Sequence, residues 1–351
     1  MSVDFHPRRN IIVGRNGQGK TNLVEAISLI GHGKSFRTSD TDQLLSWGSD
    51  NGSVFGKVND SLSEFEIGVS LDKAGKQAYI DGEKVNSLEK YIGRLPCVIF
   101  SPGDLALVKG GPVERRRFID RHVAELNPSS IRDAVSFSRA LKSKTQLLLA
   151  GHPGRDNLDP WNRIIAECSA RIYAARLAFV SNIALLAAGF YKTIAPTDEA
   201  LSIRLKSNVR DAAEDVSAAS VYEILNRKMS MEVGTRRASI GPHRDDLLVF
   251  LGDRESRAFA SQGQSRSIVL ALKMAVISHF EMEKGESPVV LLDDVDSELD
   301  SQRSSGVFSM IADSGRQVFI TGTSVPACGS FSNTDSLSLQ VEGGTICRCL
   351  D

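Results

Sequence analysis

The sequence has no excess of charge of either sign, since its 351 residues include 42 lysines and arginines against 43 aspartates and glutamates. A net charge of −1 excludes the overall positive field of many nucleic-acid-binding proteins, so any contact with nucleic acid must be local. Cysteines are few, and the closest pair among the five, Cys347 and Cys349, has neither zinc-finger nor thioredoxin spacing. This cysteine usage indicates a reducing, cytoplasmic location.

The chain also lacks repeats and low-complexity tracts. A secretion signal is not expected, because the polar segment Met1 to Asn10 has no apolar core of the kind found in signal peptides. The longest apolar stretch of the chain, Ile172 to Tyr191, contains Arg176 and Asn182. This composition favours a buried helix over a membrane span, which needs about 20 predominantly apolar residues. With 41% hydrophobic residues and only 11 prolines, the chain has a soluble, folded composition, and its length predicts one large or two closely joined domains.

A phosphate-binding loop is predicted near the start of the chain. Residues 14 to 21 match G-x-x-x-x-G-K-[ST] without a mismatch and lie between the apolar strand Asn10–Val13 and the helical segment Leu23–Ile30. We expect Lys20 to reach the β and γ phosphates of ATP and the Thr21 hydroxyl to ligate Mg²⁺. The flanking pattern argues against a chance glycine-rich turn. The predicted nucleotide contacts are Gly14, Arg15, Asn16, Gly17, Gln18, Gly19, Lys20, Thr21 and Asn22.

A second motif is an apolar strand that ends in two carboxylates, from Pro288 to Asp294. Asp293 is the candidate for Mg²⁺, through a bound water. Asp294 stands where ABC-type ATPases usually place a glutamate that polarises the attacking water, and its shorter side chain predicts slow turnover. Alone the motif is only moderately specific, because apolar runs that end in acids are common, but together with the phosphate loop it is a strong indication.

The segment Ser261–Arg266 precedes a helical run and resembles the ABC signature sequence. Its candidate residues, which would approach the γ phosphate of an opposite subunit, are Ser261, Gly263, Gln264 and Ser265. The alternative is a simple helix cap formed by Ser261 or Ser265. The order of the motifs, with Ser297–Asp300 in the place of the D-loop, favours an ABC head.

The predicted fold class is α/β, an ABC-type P-loop ATPase head with a mixed sheet around the P-loop helix. Residues 1–104 and 241–351 form lobe I, and residues 105–240 form an inserted helical lobe II. Alternating apolar residues between Gly52 and Val85 predict an antiparallel meander in lobe I. The apolar segments Val289–Leu292 and Val318–Thr321 are expected to rejoin its sheet.

Several segments resemble the RecF family of bacterial recombination mediators, ABC-type ATPases of the SMC-like group. They are Lys20–Ile27, Lys34–Arg37, Phe100–Leu105, Lys109–Asp120, Gly241–Asp246 and Asp293–Asp300, and the likeness runs from about residue 5 to residue 325. The resemblance implies a head without a long coiled-coil arm. It also implies ATP-dependent dimerisation on gapped or forked DNA, and partnership with RecR in loading the RecA recombinase.

Two departures from the family pattern limit what the resemblance implies. The family normally begins with a further strand pair and an Arg-Asn-Tyr segment, whereas this sequence starts just before the P-loop strand, so an edge of the sheet and part of the adenine pocket are expected to be missing. The segment Thr321–Ser324 occupies the place of a γ-phosphate-sensing histidine, and there Thr323 is the candidate donor.

Basic residues leave alternatives open. The cluster Arg115–Arg117 would bind DNA phosphates or pair with Glu114 and Asp120 within the chain. His243 and Arg244 would order the lobe junction or contact nucleotide. Weaker candidates for DNA contact are Lys142, Lys144, Arg236 and Arg237, and Gln43 is a candidate for a Q-loop role.

The leading hypothesis is a weak ATPase that serves as a binding switch, in which ATP joins two heads on DNA and hydrolysis releases them. One alternative is the ATP-binding subunit of an ABC transporter, which would use the same motifs with a membrane partner and an Asp-Glu pair. A second is a truncated scaffold that binds nucleotide without hydrolysing it.

Overall fold

A computed structural model of the chain describes residues 2–38, 40–46, 48–60, 63–73, 75–151, 153–195, 197–212, 215–294, 311, 315–324 and 335–348. The D-loop predicted at Ser297–Asp300 lies outside these residues.

The described chain alternates strands and helices. The strands are β1 (Arg9–Val13), β2 (Asn51–Asn59), β3 (Glu64–Asp72), β4 (Gly75–Ile80), β5 (Glu83–Lys84), β6 (Cys97–Phe100), β7 (Leu201–Lys206), β8 (Asp246–Leu251), β9 (Arg254–Glu255), β10 (Val289–Leu292), β11 (Val318–Gly322), β12 (Ser336–Glu342) and β13 (Thr345–Arg348). The helices are α1 (Lys20–His32), α2 (Leu88–Tyr91), α3 (Ala106–Lys109), α4 (Pro112–Leu126), α5 (Ser130–Ala150), α6 (Arg155–Ile194), α7 (Ala218–Thr235), α8 (Ser256–Phe259) and α9 (Gln262–Lys284).

The chain forms two compact units. The first unit comprises Met1–Leu105, Gly189–Asp198 and Ser261–Asp351, and the second comprises Ala106–Ala188 and Glu199–Ala260. The first division therefore falls after residue 105, one residue from the predicted end of lobe I. The later division falls after residue 260 instead of 240, so residues 241–260 cluster with the second unit and not with lobe I as predicted.

The first unit is built on a six-stranded sheet in the order β13-β12-β1-β11-β10-β6. Strand β1 lies inside this sheet and pairs in parallel with β11 and β12, while β12 and β13 pair with each other antiparallel. The sheet is therefore mixed, as predicted, and the strands at 289–292 and 318–322 join it. Because β1, β10, β11 and β6 run in parallel, their carboxyl ends meet at one edge.

Helix α1 packs in the core of the first unit, between apolar residues of the six-stranded sheet and those of a second, four-stranded sheet. The second sheet, in the order β2-β3-β4-β5, is the antiparallel meander predicted from the sequence. Its strand β3 buries Phe65, Ile67, Val69 and Leu71 in the core that contains α1. This packing fixes the helix that follows the phosphate loop.

The second unit contains a strand pairing that the sequence analysis missed. It predicted mostly helix from residue 105 to 226, yet β7 lies in this interval and pairs with β8 in a three-stranded sheet with β9. In β7, Leu201 and Ile203 are buried while Ser202 and Arg204 are exposed, the alternation of a half-buried strand. Within the part of the chain that the structure describes, β8 and β9 pair only with β7 and each other, so they cluster with the second unit.

Helix α6 carries the longest apolar stretch. Among the described helices it is long and apolar enough to cross a membrane by length and composition, and 28% of its most apolar 18-residue window is buried. The side chains of Phe179, Val180 and Ile183 are buried, whereas that of Leu185 is exposed. The expectation of a buried helix is therefore met on one face only.

The basic residues considered for DNA contact are mostly engaged within the second unit. Arg115 is buried and makes a bidentate pair with Asp246, with N–O distances of 2.6 and 2.9 Å. Arg116 donates to the backbone oxygen of Asp245 at 2.8 Å, and exposed Arg117 pairs with Glu114. The paired alternative is thus the one observed for this cluster. Asp120, also expected to pair with it, pairs with Arg176 instead.

Lys144 was also a candidate for DNA contact, and this prediction was wrong. Its ammonium lies 2.6 Å from Glu232 Oε2, and both side chains are fully buried between α5 and α7. Glu232 Oε1 accepts hydrogen bonds from the backbone N–H and the hydroxyl of Ser239. The pair is therefore a structural element of the second unit.

Replacing Lys144 tests this buried pair. We expect Lys144→Met to destabilise the protein by about 3–5 kcal/mol, because it leaves the Glu232 carboxylate buried without its cation. Chemical denaturation followed by circular dichroism measures the loss. The double variant Lys144→Met/Glu232→Gln should recover much of it, since no charge is then buried. A Lys144→Met protein as stable as the wild type would contradict the burial of this pair.

Candidate nucleotide-binding site

The phosphate loop connects β1 to α1 and presents backbone N–H groups at the start of that helix. Gly17 and Gly19 have φ values of 79° and 101°, which glycine adopts without strain. Gly19 caps α1 and has no side chain to accept the helix's first N–H groups, so these remain available to an anion. Lys20 Nζ donates to the backbone oxygens of Gly14 at 2.6 Å and Arg15 at 3.0 Å. Its charge therefore lies at the loop.

The acidic pair lies beside this loop, at the carboxyl end of β10. Asp293 Oδ1 accepts hydrogen bonds from the hydroxyls of Thr21 and Thr321, each at 2.9 Å. Burial raises the pKa of Asp293 above its usual value, and the neighbouring Asp294 carboxylate adds to the rise, while the two hydroxyl donors oppose it. The geometry brings together the two residues predicted to hold Mg²⁺.

Asp294 follows in a left-handed backbone conformation with φ of 52°. Its backbone N–H donates to Thr321 Oγ1 at 2.8 Å, so one threonine hydroxyl contacts both acidic residues. A positive φ at a residue other than glycine is uncommon and is often found where function requires a particular side-chain direction. Here the Asp294 side chain lines the same cleft as the phosphate loop.

A cleft of about 320 Å³ lies over the loop, within the range of small-molecule sites. Its lining residues are Asn16, Gly17, Gln18, Gly19, Lys20, Thr21, Asn22, Arg37, Asp294 and Thr321. Most of the predicted contacts are thus brought together.

The sequence analysis did not predict roles for two residues of this cleft. Arg37 is held by Glu25 at 3.1 Å and by Asn22 Oδ1 at 3.2 Å, and it adds a second cation beside Lys20. Thr321 ends up in the cleft because β11 lies beside β10, whereas Thr323, the residue predicted from this segment, is exposed. Thr321 could have been predicted from the sequence, because it ends a strand that was expected to join the same sheet as the phosphate-loop strand.

The signature residues lie at the start of α9. Ser261 Oγ accepts from the N–H of Gln264 at 3.2 Å, and Gln264 Oε1 accepts from the N–H of Ser261 at 2.8 Å, which is a capping box. The helix cap weighed for this segment is therefore present, formed by Ser261.

Ser265 needs a correction. It was predicted to face the nucleotide of another subunit, but its side chain is fully buried and its hydroxyl donates to the backbone oxygen of Ser261 at 2.8 Å. Of the other predicted contacts in this segment, Ser261 is exposed, and Gly263 and Gln264 are half-buried.

Three further candidates are not among the residues that line this cleft. His243 is half-buried in the second unit and stacks on Phe137, and desolvation lowers its pKa to about 4, so its ring is neutral at pH 7. Arg244 donates to the backbone oxygen of Ala238 at 3.2 Å. These contacts of His243 and Arg244 all lie within the second unit. Gln43, the Q-loop candidate, is exposed and bonds to Asp40.

The phosphate loop, the acidic pair on a neighbouring parallel strand and the capped signature helix define the class of this protein: it is an ABC-type head. A model of the family described as the RecF/RecN/SMC N terminal domain matches residues 1–340. Within that class, the chain belongs to the RecF family of DNA replication and repair proteins.

Individual relatives agree with this assignment. The DNA replication and repair protein RecF of Myxococcus xanthus is 38% identical over 342 residues, which are 96% of this chain and 90% of that protein. Its counterpart in Geobacter sulfurreducens is 34% identical over 348 residues, 99% of this chain and 95% of that protein.

Solved structures show the same fold. A structure of the recombination mediator RecF with ATP, from the RecFOR pathway, matches with a TM-score of 0.89 and 29% identity, covering 99% of this chain and 93% of that one. An Smc head bound to a domain of ScpA matches with a TM-score of 0.54 and 16% identity, over 98% of this chain and 90% of that one, and supports the fold alone.

The raised pKa of Asp293 predicts that this carboxylate destabilises the folded protein at neutral pH. The folded state binds the Asp293 proton more tightly than the unfolded state, so stability is lost as pH rises from the unfolded pKa, near 3.9, through the raised folded value. We expect Asp293→Asn to melt at a higher temperature than the wild type at pH 7 without nucleotide, and at a similar temperature near pH 3.5.

Scanning calorimetry at both pH values makes the comparison. Asp253→Asn, which changes an exposed carboxylate, is the control and should leave the melting temperature unchanged. An Asp293→Asn protein that melts below the wild type at pH 7 would show that the charged form is favoured in the fold.

Proposed function

We propose that this protein binds ATP in the described cleft and uses it as a switch for DNA binding in recombinational repair and replication-fork maintenance. The observation that carries the proposal is the shared hydrogen-bond geometry of Thr21, Asp293 and Thr321 beside the phosphate loop. Family membership supports the repair role, since the relatives are DNA replication and repair proteins and a related mediator was solved with ATP.

The residues of the cleft fit these roles. Lys20 and the N–H groups at the start of α1 would bind the β and γ phosphates, and Arg37 would neutralise further phosphate charge. The Thr21 hydroxyl and the Asp293 carboxylate supply oxygen ligands at one point, the kind that Mg²⁺ prefers, and the metal would neutralise charge on the phosphates. Asp294 would orient the attacking water, and its short side chain favours slow hydrolysis.

The proposal includes assembly. We infer that ATP joins two copies of this chain. Ser261 and Gly263 lie at an accessible helix start, and helix starts bind anions. The phosphates of ATP bound to a second copy would be the anion at this helix start. The resemblance to the RecF family supports dimerisation on gapped DNA and, with RecR, a role in RecA loading. The binding energy of ATP would then be available only to the closed dimer.

The two alternatives differ in what they need. A transporter subunit would require a membrane partner, and the family assignment favours the repair role over it. A scaffold that binds but does not hydrolyse ATP would still dimerise, so it is distinguished by turnover alone.

Solution mass tests the switch. The mass of the wild type is measured by light scattering, free and with ATP and Mg²⁺, with and without a gapped duplex. We expect an ATP-dependent dimer that retains DNA. Lys20→Ala should lose it, because ATP affinity falls about tenfold or more without the charge-assisted bonds of this lysine. Ser261→Arg should bind ATP normally yet stay monomeric, since the bulky side chain blocks the second chain.

A further variant, Arg117→Ala, changes an exposed residue on α4 and reports on DNA contact by the basic cluster. A wild type that stays monomeric and ignores DNA under every condition would overturn the switch. A dimer without phosphate release would favour the scaffold.

A further inference from the structure

The hairpin of β12 and β13 lies directly against the phosphate loop. Strand β12 pairs with β1 up to Val13 and Gln340, and the hairpin then turns at Gly343 and Gly344, which link the paired residues Glu342 and Thr345. A Cβ on Gly14, the first residue of the loop, would lie 2.4 Å from the backbone oxygen of Val341. The loop and the hairpin are therefore in contact along their backbones.

Two hydrogen bonds join the turn of this hairpin to Gln18. The N–H of Gly343 donates to the side-chain Oε1 of Gln18 at 2.5 Å, and the N–H of Gly344 donates to its backbone oxygen at 3.2 Å. Gly343 and Gly344 have φ values of 55° and 77°, the left-handed values of a two-residue hairpin turn. This turn conformation directs both N–H groups to one residue of the phosphate loop.

The bond to the backbone oxygen of Gln18 has a consequence for its neighbour. A peptide unit is planar and trans, so its oxygen and the N–H of the next residue point in opposite directions. With the Gln18 oxygen held on the hairpin side, the N–H of Gly19 is directed away from the hairpin. Gly19 lines the cleft, so this N–H is oriented to donate a hydrogen bond to an anion bound there.

We propose that Gln18 is a positioning residue and that the Gly343–Gly344 turn holds the phosphate loop in its anion-binding conformation. The sequence motif assigned Gln18 a direct contact with nucleotide. In the structure its side-chain oxygen and its backbone oxygen are both taken by the hairpin. The proposal rests on the proposed binding of ATP in this cleft and adds a part of the chain more than 320 residues away from the loop in sequence.

Substitutions on both sides of the contact test this positioning role. Gln18→Met removes the side-chain acceptor at nearly constant length. Gly343→Val places a β-branched residue at a left-handed position, which forces the turn to change and withdraws its N–H groups. Gly82→Val is the matched control, since Gly82 is also a left-handed turn glycine with open space around it, but lies in the β4–β5 hairpin.

The measurement is the dissociation constant for ATP with Mg²⁺ by titration calorimetry, beside the melting temperature without nucleotide. We expect Gln18→Met, which removes one hydrogen bond, to raise the dissociation constant about fivefold, and Gly343→Val, which withdraws both N–H groups, to raise it at least as much. Because Gly343→Val already breaks the bond to the Gln18 side chain, the double variant should bind no more weakly than Gly343→Val alone. Gly82→Val should lower the melting temperature and leave the dissociation constant unchanged.

The outcomes separate three cases. If Gln18→Met weakens ATP binding and Gly343→Val does not, Gln18 contacts nucleotide directly and the positioning role is wrong. If both variants melt at lower temperatures but bind ATP with the wild-type dissociation constant, the contact only stabilises the fold. That result would also overturn the proposal. A wild type that binds no ATP would instead overturn the proposed function itself.

Discussion

The cleft depends on one carboxylate oxygen, Asp293 Oδ1, which accepts hydrogen bonds from Thr21 on the phosphate-loop helix and Thr321 on β11. Thr21 lies 272 positions from Asp293 in sequence, and Asp293 lies 28 positions from Thr321. The parallel pairing of β1, β10 and β11 brings the ends of their segments together. The same arrangement explains the left-handed backbone of Asp294, since its N–H reaches the hydroxyl already bonded to Asp293. The order of the strands in the sheet therefore determines which side chains meet at the cleft.

Features with a local cause could be predicted from the sequence. The phosphate loop, the strand that ends in Asp293 and the meander with its alternating apolar residues were all found, because glycine spacing and periodicity act over short distances. Features that depend on residues distant in sequence could not be predicted in this way. Burial of Ser265 depends on what packs around α9, and pairing of β7 with β8 joins segments about 40 residues apart. Arg37 is held at the cleft by its bond to Glu25, and no spacing rule in the sequence predicts that bond.

Arg115 and Lys144, two of the residues that suggested DNA contact, instead pair with acidic side chains within the second unit, where a buried arginine makes further ion pairs. Arg176 binds Asp120 and Asp245 at 2.7–2.9 Å and the backbone oxygen of Pro242, which joins α4, α6 and the start of β8. Burial of these charges is costly unless each is paired, so the network stabilises one arrangement of these elements over others. A basic cluster in sequence is thus poor evidence for a nucleic-acid surface until its acidic neighbours in space are known.

The order of segments along the chain also affects how the protein is made. Strand β1 is synthesised before its partners β11 and β12, which follow more than 300 residues later, so the sheet that carries the phosphate loop cannot close until those strands have been translated. All the segments of the second unit leave the ribosome before β10, β11 and β12. Such long-range pairing slows folding and leaves apolar strands exposed in the nascent chain. During synthesis, the first unit is therefore the part of this protein that depends on protection from aggregation.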